Sequence, residues 1–67
     1  MNKEETITYS FKKKKEIYND FSKLNEKTVR HIINSSIALV SGVSLKEARD
    51  RKIVYPKEVE KIYSLLS

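Results

Sequence analysis

No cysteine occurs in the 67 residues, and His31 is the single histidine. A chain this short buries a small apolar core, worth roughly 3–5 kcal/mol at best. The usual supplements are disulfides, a structural metal or association. The first two are closed here: there is no thiol to oxidise, and one imidazole cannot build a zinc site. The composition therefore predicts one domain over residues 1–67, without cofactor or metal, held by its core and by pairing with a second copy as a homodimer.

Hydrophobic periodicity divides the chain into a strand and several helices. From Thr6 to Phe11 polar and apolar residues alternate, with Ile7, Tyr9 and Phe11 on one side and Thr6, Thr8 and Ser10 on the other. Period two with aromatic and β-branched residues predicts a half-buried strand. No second such pattern follows, so its backbone groups are expected to pair with the same strand of another copy. After the basic run Lys12 to Lys15, the residues Ile17, Phe21 and Leu24 predict a helix over about 13–24, and Asn25 and Glu26 a turn. Val29, Ile32, Ile33, Ile37 and Val40, with Ser36 among them, make the apolar face of a helix over about 27–41. Lys27, Arg30, His31 and Asn34 fall on its other side. That apolar face is expected to form the core across the dimer interface.

Gly42, the only glycine, stands where a left-handed residue would end this helix. Ser44 and Glu47 form an S-x-x-E capping box that opens a short helix over about 45–52, thin in apolar residues. Pro56 and Glu58 suit the first turn of a last helix, about 57–66, whose stripe is Val59, Ile62, Tyr63 and Leu66. The predicted fold class is mainly α: a short N-terminal strand followed by three to four helices.

Charge bears on function. Fourteen basic against nine acidic residues give a formal charge of +5 and a pI near 9.6, a balance that favours polyanionic partners. No apolar run approaches the ~20 residues of a membrane span. The N-terminal residues Met1 to Glu5 lack the apolar stretch of a secretory leader. A cytoplasmic location and no membrane partner are expected. Catalysis is argued against by the missing thiol, by a single glycine that cannot build a phosphate-cradling loop, and by a lone His31 on a polar helix face. Glu4 and Glu5 are neighbours on an N-terminal arm, not a pair held in a cleft. The chain reads as a binding protein, with double-stranded DNA as the expected partner. Thr6, Thr8 and Ser10 would face bases, and Lys12, Lys13, Lys14 and Lys15 would meet phosphates.

The order strand, helix, helix from Thr6 to Ser41 resembles the ribbon-helix-helix repressors of bacteria, plasmids and phages. The resemblance implies a dimer whose paired strands enter the major groove. Thr6, Thr8 and Ser10 would point to bases, and Ile7, Tyr9 and Phe11 to the helices. The start of the second helix, Glu26 to Thr28, would hold a phosphate, with Lys27 and Thr28 beside it. It also implies transcription regulation by covering a promoter or origin site.

A second stretch, Ala38-Leu39-Val40-Ser41-Gly42-Val43-Ser44, is similar to the A-x-x-x-G-V-S found at the turn of helix-turn-helix proteins. It implies a recognition helix from Leu45 to Lys52, with Lys46, Arg49 and Arg51 toward DNA. A third reading is a protein-binding module, an antitoxin or small phage inhibitor, docking through Val59, Ile62, Tyr63 and Leu66.

Overall fold

The computed structural model describes residues 9–67. The chain runs β1 (Lys12–Lys13), α1 (Lys14–Asp20), α2 (Glu26–Ser41), α3 (Leu45–Asp50), β2 (Ile53–Val54) and α4 (Pro56–Leu66). The class is mainly helical, with a short strand ahead of four helices as expected.

The strand differs from expectation in place and in partner. Tyr9, Ser10 and Phe11 precede β1 rather than forming it, and Thr6 and Thr8 lie outside the described residues. β1 pairs antiparallel with β2 of the same chain, Lys12 opposite Val54 and Lys13 opposite Ile53. A second copy is therefore not what satisfies these backbone groups. The two residues of β2 carried no alternation of their own, and their pairing is set by the packing of the helices on either side.

The helices follow local signals. Asn25 caps α2, its side chain accepting from the N–H groups of Lys27 and Thr28 at 2.9 and 3.3 Å. Gly42 ends α2 at φ 66°, ψ 32°. A Cβ there would meet nothing within 4 Å, so the glycine is required by its left-handed backbone and not by space. Ser44 and Glu47 make the capping box of α3 in both directions. Pro56 opens α4, and Glu58 accepts from the N–H of Tyr55 at 2.8 Å. Only α1 falls well short of its predicted span. It stops at Asp20, and Phe21 to Leu24 turn toward α2, which leaves Leu24 exposed.

The core is closed within one chain. Ile17 of α1, Val29, Ile33 and Ile37 of α2, Ala48 of α3, Val54 of β2, and Val59 and Ile62 of α4 are all buried. Val29, Ile33 and Ile37 of the apolar face of α2 are covered by the other three helices and need no second copy to cover them, while Ile32 is half-buried and Val40 is exposed. The stripe Val59, Ile62, Tyr63 and Leu66 is likewise core. Val59 and Ile62 are fully buried and Tyr63 and Leu66 half-buried against the same cluster, so it is not an exposed docking face. Phe21 and Tyr63 meet edge-on at 5.0 Å between ring centroids, with Tyr9 at 5.7 Å on Tyr63. The Tyr63 hydroxyl donates to Asp20, and burial, with that carboxylate beside it, pushes the hydroxyl well above the ordinary phenol range.

A buried ionic clasp joins the ends of three helices. Glu58 is 1% exposed. It accepts from Ser41 Oγ at the end of α2, from the Arg51 guanidinium just past α3, and from the Tyr55 N–H at the start of α4. Arg51 also donates to the Ile53 carbonyl and lies 4.1 Å from the centroid of the Tyr55 ring.

Candidate nucleic-acid interface

The basic residues look alike in the sequence, and the fold sorts those among the described residues. Lys14 turns inward. Its ammonium donates to Asn34 Oδ1 at 2.8 Å, to the Ala48 carbonyl at 2.6 Å and to the Arg49 carbonyl at 3.3 Å. Those bonds use all three of its N–H donors and satisfy carbonyls that the end of a helix otherwise leaves open. Burial, and then the Arg51 charge nearby, pushes the ammonium below its ordinary value. The expectation that Lys14 meets a phosphate is therefore corrected: it ties α1 to α2 and to the end of α3. Lys14→Met should cost about 2 kcal/mol in urea denaturation, because the buried Asn34 oxygen and the α3 carbonyls lose their donor.

Three further expectations change for similar reasons. Lys12 shares the core-facing side of the ribbon with Val54. It lies 3.7 Å from Asp20 and over the Tyr63 ring, away from the other lysines of its run. Arg51 borders the surface, but its guanidinium is committed to Glu58, the Ile53 carbonyl and the Tyr55 ring, so it is not free for a ligand. The N–H of Thr28 and that of Lys27 are already taken by the Asn25 cap, so the start of α2 is not an open phosphate cradle. Ser10 is exposed, ahead of β1.

Many of the basic side chains line two grooves. Lys27, Arg30, His31 and Asn34 stand at i, i+3, i+4 and i+7 on α2 and, with Leu45 and Arg49 of α3, line one groove. Lys13, Lys14 and Lys15 from the start of α1, with Arg49 to Ile53, line a second. Arg49 belongs to both, so the outer side of α3 is a ridge between two basic grooves. Lys46 is exposed on the same short helix. Arg30 is held by the Tyr18 hydroxyl and by Glu26, the latter 3.1 Å away and exposed, a weak surface pair that a phosphate can displace. Asp50 is the acid that lines the second groove. The side chains of Lys13, Lys15 and Lys52 make no hydrogen bond or ion pair among the described residues.

His31 is exposed, its Nε2 3.4 Å from Ser35 Oγ. Among the described residues no three His, Cys, Asp or Glu side chains gather as metal ligands, and no helix is long and apolar enough to cross a membrane. Missed by sequence reasoning were Lys52 and Arg30 as members of the basic face, and Lys14 and Glu58 as its supports. The i, i+3, i+4 spacing of Lys27, Arg30 and His31 was the available signal for the α2 side. No family model, curated protein or solved structure matches the chain.

Proposed function

We propose that this protein binds double-stranded DNA through the face centred on α3, as a small regulator that occupies its site and excludes other proteins. The observation that supports this most is the sorting of charge. Cations from three distant segments flank α3 on both sides, while Lys12, Lys14 and Arg51 are spent inside. Lys13, Lys15 and Lys52 on one side, and Lys27 and Arg30 on the other, would meet the phosphate rows bordering a major groove. Arg49, with Lys46, then stands where base edges lie, and an arginine can bond guanine O6 and N7 together. The reading by α3 is preferred to a ribbon reading because the described ribbon is closed within one chain and its outer face carries no Thr or Ser.

One six-residue helix reaches few base pairs, so we place two copies on a paired site. The test is fluorescence anisotropy across a salt series, with labelled duplexes from the region upstream of the gene and of random sequence. The upstream duplex should bind tighter, with both affinities falling steeply with salt. Arg49→Ala should weaken upstream binding roughly 10- to 100-fold and narrow the gap between the two duplexes. An unchanged gap would remove Arg49 from the reading surface.

A further inference from the structure

The outer face of the β1–β2 ribbon carries a second feature. Strand alternation puts Lys12 and Val54 on the core side, so Lys13 and Ile53 face out. Phe11 and Tyr55 extend the same register by one pair and touch edge-on, with ring centroids 5.6 Å apart and planes at 73°. Phe11 is 63% exposed, Tyr55 47% and Ile53 40%. A phenylalanine left mostly in water leaves much of its apolar surface unburied. Arg51, 4.1 Å over the Tyr55 ring, holds that ring in place, so the patch is supported from beneath.

We infer that this face binds unpaired bases of single-stranded nucleic acid, with Phe11 as the stacking ring and Lys13, Lys15 and Lys52 on the adjoining phosphates. Charge decides the occupant. An apolar partner protein gains nothing from the ammonium groups of Lys13, Lys15 and Lys52, which line a groove with Ile53 and have no partner among the described residues, whereas a chain of flat rings joined by anionic linkers matches both halves of the patch. A duplex offers only base edges along its grooves, so the bases concerned are unpaired. The inference rests on reading the basic face as a nucleic-acid surface, but it concerns a different strand geometry from the duplex held by α3.

The experiment compares wild type, Phe11→Ala and Phe11→Leu for binding to labelled oligo-dT and to a blunt duplex at low salt. Stacking on one ring is expected to make Phe11→Ala about tenfold weaker on oligo-dT. Phe11→Leu should fall between, since it keeps bulk and loses the π-face. Duplex binding should stay within about twofold for both variants. A 2-aminopurine placed in the oligonucleotide should be quenched by wild type and not by Phe11→Ala, a signal that a merely structural phenylalanine would not give. Absent binding of oligo-dT, or equal binding by Phe11→Ala, overturns the inference. Loss of duplex binding alone, with a Phe11-dependent single-strand complex, would overturn the α3 proposal and leave this one standing.

Discussion

Glu58→Ala is expected to leave most of the population unfolded at neutral pH. The substitution strips Arg51 of its carboxylate, and removes the acceptor for the Ser41 hydroxyl and the Tyr55 N–H. Removing one partner of a buried pair costs about 3–5 kcal/mol, comparable with the roughly 3–5 kcal/mol that a core of this size supplies. Replacing both partners, Arg51→Met with Glu58→Leu, should recover much of the loss, because no uncompensated charge then remains. Urea denaturation followed by far-ultraviolet circular dichroism separates the cases. A single variant as stable as wild type would show that the clasp contributes little.

The same carboxyl gives the stability its pH dependence. Burial pushes Glu58 upward, but hydrogen bonds from Arg51, Ser41 and the Tyr55 N–H outweigh it and hold the group below its ordinary value. A depressed folded value means that the unfolded chain binds the proton more readily. The contribution is therefore complete above the ordinary carboxyl value of 4.5 and is lost as pH falls through the lower folded value. Glu58→Gln should be less stable than wild type near neutrality and should lose less on acidification.

Neutralising Lys13, Lys15 and Lys52 together should have the largest effect on DNA binding. Each phosphate contact contributes about 0.9 to the slope of log affinity against log salt, so three removals should flatten it by about 2.7. At about 0.1 M salt that corresponds to a loss of several-hundred-fold, roughly equal for upstream and random duplexes because phosphates carry no sequence. Circular dichroism should remain unchanged, since these side chains have no internal partners among the described residues. An unaltered slope would mean that the lysines do not touch the backbone of the duplex. The expected contrast with Lys14→Met is that one lysine of the same run affects folding, while its neighbours would affect salt dependence.

Local chemistry was legible in the sequence wherever a few adjacent residues decide it. The S-x-x-E at Ser44, the left-handed Gly42, the leading Pro56 and the period of Val29, Ile33 and Ile37 each mark an element that forms where expected. Two kinds of information were not local. The pairing of Lys12–Lys13 with Ile53–Val54 spans forty residues and has no alternation to announce it. The direction of a charged side chain depends on what the fold sets against it. Lys14 stands in the same run of lysines as Lys13 and Lys15, yet it is the one whose ammonium reaches Asn34 and the end of α3. Arg51 was placed toward DNA as part of a recognition helix running to Lys52, but it lies past the last turn of α3, where Glu58 is within reach. Asn34, grouped with the polar side of α2, is buried because Lys14 reaches it.

The arrangement of α3 has a consequence for how such a protein can change its target. Six residues are too few to hold a helix by themselves. Everything that fixes α3 comes from its ends and its inner side: the Ser44 cap, buried Ala48, the Lys14 bonds to main-chain carbonyls, and the clasp beyond Asp50. The side chains of Leu45, Lys46 and Arg49 take no part in that support. They can be exchanged without disturbing the scaffold, so if α3 reads DNA as proposed, its preference could change at three positions while the fold is kept.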